Sequence, residues 1–172
     1  EAGAMPVRRE WVPVDELIGG ALTRVQRRLG ARAVTVELAP DLPMVAVDPV
    51  LMAQVFINLL ENAAKYTPAT SPVRIRAAFR DQSFVIDVVD AGPGIPPGDT
   101  ERVFDKFYRT EGAGPQGVGL GLAICRGIVE AHGGRISVEN VATGGACFRV
   151  VLPVPTSAPG VDASAPEAET SP

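Results

Sequence analysis

The chain is short of the residues that build most metal and thiol chemistry: it has one histidine, two cysteines and two lysines against fourteen arginines, with aromatics at 5%. Each shortage excludes something. One histidine cannot supply a histidine-based zinc cluster, and Cys125 and Cys147 make neither a disulfide framework nor a Cys-x-x-Cys metal pair. Two idle thiols fit a reducing cytosol, so we expect both to serve packing and the chain to be cytoplasmic. No run of about 18 apolar residues spans a bilayer and no secretory leader pattern is visible, so the chain reads as soluble, whatever it is joined to. A formal charge of −4 gives no electrostatic footprint for nucleic acid. The arginine excess is a matter of composition, and it makes Lys65 and Lys106 conspicuous, because both fall inside motifs.

The 172 residues, 46% of them hydrophobic, are enough for one domain with a real core. Residues 1–12 lack a convincing period and read as a linker entering a domain that spans 13–154. A helix is expected around Val14–Leu29, with Leu17, Ile18, Ala21, Leu22, Val25 and Leu29 on one face and Gly30 ending it. Short strands are expected at Val34–Leu38 and Met44–Val47. Residues 73–80 alternate, Val73, Ile75, Ala77 and Phe79 against Arg74, Arg76 and Arg80, as in a sheet with one wet face. Asp81-Gln82-Ser83 turns the chain into a returning strand, Phe84–Val89. Residues 98–118 show only a helical turn near Arg102–Phe107, and loops this long are usually functional. A helix over Gly119–Ala131 and strands at Arg135–Glu139 and Ala146–Leu152 follow. Residues 155–172, rich in Ala, Pro, Ser and acids, read as a disordered tail. Three helices and about six strands make an α+β two-layer sandwich, a mixed sheet covered on one face by the helices.

The stretch DPVLMAQVFINLLENAAKYTP, residues 48–68, organises the rest. Asp48 can cap a helix and Pro49 fits its first turn. Met52, Val55, Phe56, Leu59, Leu60 and Ala63 form an apolar stripe, and Asn58, Glu61, Asn62 and Lys65 a polar one beside it. Asparagine is a poor helix former, by roughly 0.5 kcal/mol relative to alanine, so two on one stripe ask for a reason. Amides with one acid and one amine suit a hydrated divalent cation and phosphate oxygens. Downstream, DAGPG puts Asp90 at a strand end with Gly92 and Gly94 beyond it, where a carboxylate can accept from an exocyclic amine. Gly117, Gly119 and Gly121 then open a helix whose free N–H groups suit phosphate. No strand precedes them and no Gly-Lys-Ser/Thr follows, which excludes the dinucleotide-fold and P-loop patterns.

Taken in order, the boxes NLLENAAKYT, DAGPGIP, VFDKFYR and GVGLGLAICRGIVEAHGG make the chain resemble the catalytic and ATP-binding domain of sensor histidine kinases. That domain has the Bergerat fold shared with gyrase B, Hsp90 and MutL (the GHKL group). The likeness runs from about Val14 to Pro153, and GVGLGLAICRGIVEAHGG with GGACFRVVLP is similar to the potassium-responsive Kdp-type sensor kinase. The resemblance implies ATP and Mg²⁺ as cofactors and a catalytic group of Asn58, Glu61, Asn62 and Lys65, the role of Glu61 within it open. Asn62, supported by Asn58, would hold Mg²⁺. Lys65 would meet phosphate, Tyr66 would lie against the nucleotide, and Asp90 would accept from the adenine amine with Gly92, Gly94 and Ile95 shaping the pocket. Phe104 and Phe107 would anchor a lid that frees Lys106 and Arg109 to reach phosphates. Backbone at Gly117, Val118, Gly119, Leu120, Gly121 and Leu122 would cradle the phosphate tail. The implied partners are a histidine-bearing dimerisation domain of the same protein and the receiver domain of a response regulator, in a parent that is a membrane-bound homodimer.

Two departures stand out. Val118 takes a position where many relatives carry a hydroxyl, which predicts weakened rather than lost phosphate binding. The acceptor histidine is absent, since His132 sits at a helix end before Gly133-Gly134 and reads as structural. Three rivals share the fold: a gyrase- or Hsp90-like hydrolase, which needs a glutamate base where this chain has Asn58; an anti-sigma-factor serine kinase, disfavoured by the Phe104/Phe107 box; and a non-catalytic nucleotide sensor.

Overall fold

The structure, a computed structural model, describes residues 5–109 and 119–154. A five-stranded mixed sheet is built from β2 (Val34–Leu38), β4 (Val73–Arg80), β5 (Ser83–Asp90), β6 (Arg135–Asn140) and β7 (Ala146–Pro153), in the order β2-β4-β5-β7-β6. Only the β2–β4 pair is parallel. Helices α1 (Val14–Leu29), α2 (Pro49–Tyr66) and α3 (Gly121–Ala131) supply the apolar surface that covers one face, so the α+β sandwich expected from the sequence is what forms.

Strand alternation decides which residues meet the helices. Ile75, Val88, Phe148 and Val138 share one row across the sheet, and Ala77, Ile86, Val150 and Ile136 the next; all are buried. They meet Met52, Val55, Phe56, Leu59 and Leu60 of α2 in a single core. Asp90 falls on this helix-facing side because it continues the series Phe84, Ile86, Val88 by one more step of two. Asp87, out of phase, lies on the opposite face. There it is buried all the same, held by Arg149 through Nε at 2.8 Å and Nη2 at 3.0 Å and by Arg76 at 3.1 Å. The pairing holds the Arg149 guanidinium well above its ordinary value.

The expected hairpin turn is present and unusual in composition. Asp81 and Gln82 take φ of 51° and 58°, the left-handed pair that matches strand twist, without the usual glycine. The N-terminal edge, within the stretch expected as a linker, carries a short strand. Glu10–Val12 forms β1, antiparallel to β3 (Val45–Val47). Three residues are too few to show a period, so only the partner strand reveals it. Residues 155–172, expected to be a disordered tail, lie outside the described residues. Among the described residues, no helix is long and apolar enough to cross a membrane.

Two polar side chains fasten helix ends. Arg32 donates from Nη2 to the carbonyls of Ala64 and Thr67 at 2.7 and 3.0 Å, and from Nη1 to Leu29 at 3.1 Å, bringing one cation to the C-termini of both α1 and α2. His132, buried behind α3, accepts the Asp48 backbone N–H at Nε2 (2.9 Å). Its Nδ1 therefore carries the proton and donates to Ile128 O at 2.7 Å. The helix-end contact expected for His132 is thus made by a neutral ring. Burial, helped by the charge of Arg9, pushes its pKa below 6.5, although the Ile128 carbonyl and Asp48 pull the other way.

A pH dependence follows. Because the folded pKa is depressed, the stability tied to neutral His132 is fully present above the ordinary value of 6.5 and is lost as pH falls through the lower folded value. Urea denaturation between pH 7.5 and 5 should show stability falling by up to about 1.4 kcal/mol per pH unit, the limit for one proton. His132→Ala should flatten that slope; a slope the substitution leaves intact assigns the proton elsewhere. The stability tied to ionised Asp48 is present throughout this range and is lost only at lower pH. Burial raises its pKa, but backbone N–H donors at Leu51, Arg8 and Val50 outweigh that and hold it below 3.8.

Candidate active site

The polar stripe of α2 is the wall on which the site is assembled. Asp48 caps the helix, its Oδ1 accepting from Val50 and Leu51 N–H at 3.1 Å each, and Pro49 follows at the first turn. Near mid-helix, Asn58 donates from Nδ2 to Gly121 O at 3.3 Å and accepts from Gln54 at 2.8 Å. The first residue of α3 is thereby fixed against α2. Half-buried Asn62 lies one turn on, and no hydrogen bond to another described residue engages its amide. Glu61 turns the other way and pairs with Arg28 of α1. The stripe read from the sequence is therefore split: Asn58 is committed to α3 and Glu61 to α1, while Asn62 stays open. Lys65 is exposed, its Nζ 5.0 Å from the centre of the Tyr66 ring, itself 41% exposed.

The loop after β5 closes on the C-terminal end of the same helix. A Cβ on Gly92 would sit 2.8 Å from Thr67 Cγ2 and 3.2 Å from Tyr66 O, so the glycine is what lets the loop lie against α2. Asp90 folds one oxygen into the scaffold, Oδ1 accepting from Gly92 N at 2.9 Å and Ala146 N at 3.2 Å. Its Oδ2 accepts no hydrogen bond from a described residue, which leaves a partly exposed acceptor beside the loop. Two residues not singled out in the sequence complete this end. Gly145, at the β6–β7 turn, packs so closely that a Cβ would fall 2.0 Å from Asp90 O. Asn140 bonds the backbone of Ile95. The paired glycines at 144–145 were the available signal for the first, and nothing local marks the second.

At the third side the lid stems meet. A 3-10 turn, Arg102–Phe104, buries Val103 and Phe104, with Phe104 edge-on to Phe148 at 6.3 Å and Arg126 over its ring at 4.7 Å. Of the two phenylalanines expected to anchor the lid, Phe104 is buried and Phe107 is exposed. Its backbone takes φ 65°, its N–H donates to Gly119 O at 2.9 Å, and its ring is 65% exposed. The helical turn expected to reach Phe107 ends at Phe104 for the same reason. Gly119, expected to open α3, has φ 74° and lies against the Phe107–Tyr108 backbone, so α3 starts at Gly121 with Leu120 before it. Leu120 and Leu122 are half-buried, and Lys106 and Arg109 are exposed. Gly117 and Val118, expected in the phosphate cradle, lie outside the described residues, as do residues 110–116 of the expected lid.

The thiols take no part. Cys125, fully buried, reaches Val55 O at 3.6 Å, and burial pushes it up to about 12. Burial, with Asp87 nearby, also raises Cys147. Neither is a thiolate at neutral pH.

A mixed sheet with helices on one face, an asparagine-bearing helix as wall, and glycine loops closing on it from two sides define an ATP-binding domain of the Bergerat class. Residues 47–156 match the model of the histidine kinase-, DNA gyrase B-, and HSP90-like ATPase family, and the chain belongs to that family, within it to the sensor histidine kinases. It is 44% identical over 159 residues to the sensor protein KdpD of Escherichia coli K12, covering 91% of this chain and 18% of that protein. Among solved structures it is similar to the mycobacterial sensor histidine kinase MprB (TM-score 0.75, 33% identity, 84% of this chain and 97% of that one). It is also similar to full-length ShkA in complex with AMPPNP (TM-score 0.79, 28% identity, 92% and 34%). A third likeness is to histidine kinase ThkA in complex with the response regulator protein TrrA (TM-score 0.73, 27% identity, 86% and 42%).

Proposed function

We propose that this chain binds ATP with Mg²⁺ and delivers the γ-phosphoryl to a histidine on a dimerisation domain of the same parent protein, from which a response regulator takes it. The observation that carries the reading is the convergence on α2. The Asp90 loop rests on its C-terminal end through Gly92, and the glycine-rich start of α3 rests on its middle through Asn58. Base and phosphate ends of a nucleotide are thereby set along one helix. Asp90 Oδ2 would accept from the adenine amine while Oδ1 stays bound to the scaffold, and the ring would lie near Ile95 and Tyr66. Lys65, with Lys106 and Arg109 beyond, would supply cations to the phosphates, and the N–H groups opening α3 would cradle them.

The donor set fits Mg²⁺ better than a tightly caged metal. Among the described residues no three His, Cys, Asp or Glu side chains gather, and Mg²⁺ in phosphoryl-transfer sites takes few protein ligands beside phosphates and water. Asn62 would hold it. Asn58, whose amide already bridges Gln54 and Gly121, would contribute through the helix packing or by exchanging Gln54. Bound there, the ion would neutralise charge developing on the transferred phosphoryl. With Asn58 in place of a carboxylate and Glu61 turned to Arg28, neither position on α2 sets a base to activate water, which favours transfer over hydrolysis.

The regulator partner is supported by ThkA, described in complex with one, and the use of ATP by ShkA with AMPPNP. Identity to KdpD supports a potassium-linked, membrane-bound parent, of which this chain would be the cytoplasmic kinase part. Calorimetry tests the adenine end. Asp90→Asn should weaken ATP binding by about 1–3 kcal/mol, the loss for a hydrogen bond to a charged group. Equal affinity of the parent chain for ATP and GTP sinks the adenine assignment.

A further inference from the structure

We propose that Asn140, at the end of β6, is a positioning residue that sets the base pocket and so its preference for adenine. The inference rests on the ATP-binding reading above. Asn140 brackets one backbone residue from both sides: Nδ2 donates to Ile95 O at 2.8 Å and Oδ1 accepts from Ile95 N at 2.7 Å. A single amide thereby does what a bridge between two strands does, on a loop that has left the sheet. The fit depends on Gly94 as well. That residue has φ 78°, and a Cβ there would fall 2.6 Å from Asn140 Oδ1.

Three of the ties between this loop and the body of the protein do different things. Gly92 rests on α2, and Asp90 is held to the β6–β7 turn by Ala146 N–H, so both ties act at its start. Asn140 alone among them holds the backbone of residue 95, whose side chain packs onto the core. Released, Gly94–Ile95 can swing on a glycine in the left-handed region, and the edge of the base that Asp90 reads loses its backing. Only an amide serves fully. A carboxylate keeps the acceptor for Ile95 N–H but sets a negative oxygen against Ile95 O, and alanine supplies neither bond.

The test is calorimetry of the chain with Mg-ATP and Mg-GTP, joined to amide hydrogen exchange at Ile95. Asn140→Ala should raise the Kd for ATP about five- to tenfold, the scale of one or two modest hydrogen bonds, and leave that for GTP nearly unchanged. Exchange at Ile95 should quicken. Asn140→Asp should show the same narrowing of preference with part of the Ile95 protection retained. Since Asn140 is exposed, the thermal midpoint should stay near the parent's, and the aspartate variant keeps the comparison sound if alanine lowers it. Unchanged ATP affinity in both variants while the Ile95 amide opens overturns the proposal, as do equal losses for ATP and GTP. A parent chain that binds neither nucleotide removes the reading beneath it, which is evident before any variant is compared.

Discussion

Asn62→Ala is expected to abolish phosphoryl transfer, lowering its rate by about 10²-fold or more, the scale seen when a metal ligand or a charge-stabilising donor is removed. The assay supplies the matching histidine hairpin in trans with Mg-ATP and follows an acid-labile, base-stable phosphate. Asn62 is singled out because its amide alone on the polar stripe is uncommitted: Asn58 is bound to Gly121 and Gln54, and Glu61 is paired with Arg28. ATP should still bind the variant through Asp90, weakened mainly in its dependence on Mg²⁺. Lys65→Ala should slow transfer without ending it. His132→Ala should leave transfer per folded molecule nearly intact, since that ring is consumed by Ile128 O and Asp48 N–H. Self-labelling that vanishes with His132→Ala would reverse the assignment of donor and acceptor. ATP binding with no transfer to any cognate hairpin would favour the nucleotide-sensing rival.

How much of this was legible beforehand depends on what kind of signal each feature leaves. Helix Val14–Leu29 and strand Val73–Arg80 form at the bounds expected, because burial of one face repeats often enough to be read. The place of Asp90 at a strand end was legible too, from the glycines and proline that follow it. Features made by segments far apart leave no period. Strand β1 is defined by Val45–Val47, and Asn140 by Ile95, 45 residues away. Glu61, whose role the sequence left open, has its partner on another helix for the same reason. Helical spacing groups it with Asn58 and Asn62, but Arg28 on α1 decides where its carboxylate goes. At Phe107 the local pattern suggested an anchor, and a backbone turned through φ 65° by its bond to Gly119 leaves the ring outside.

The neighbouring glycines at the β6–β7 turn allow a close approach to be separated from backbone strain. Gly144 and Gly145 both have φ 99°, a region costly for residues with a Cβ, by roughly 1–2 kcal/mol. Their surroundings differ. A Cβ on Gly144 meets nothing within 4 Å, whereas one on Gly145 would lie 2.0 Å from Asp90 O and 2.8 Å from Asp90 C. Gly144→Ala should therefore cost about 1–2 kcal/mol in urea denaturation and leave ATP affinity untouched. Gly145→Ala adds a collision with backbone that cannot rotate away, which brings its cost to about 2–5 kcal/mol. The turn can relieve the overlap only by parting from Asp90, and that breaks the Ala146 N–H bond holding Oδ1. With Oδ1 released the carboxylate can rotate, and Oδ2 no longer stands fixed for the adenine amine. The molecules that remain folded should consequently bind ATP at least tenfold more weakly, measured at a temperature well below the variant's midpoint. Should the two substitutions cost the same and bind ATP alike, the contact between Gly145 and Asp90 has no part in shaping the pocket.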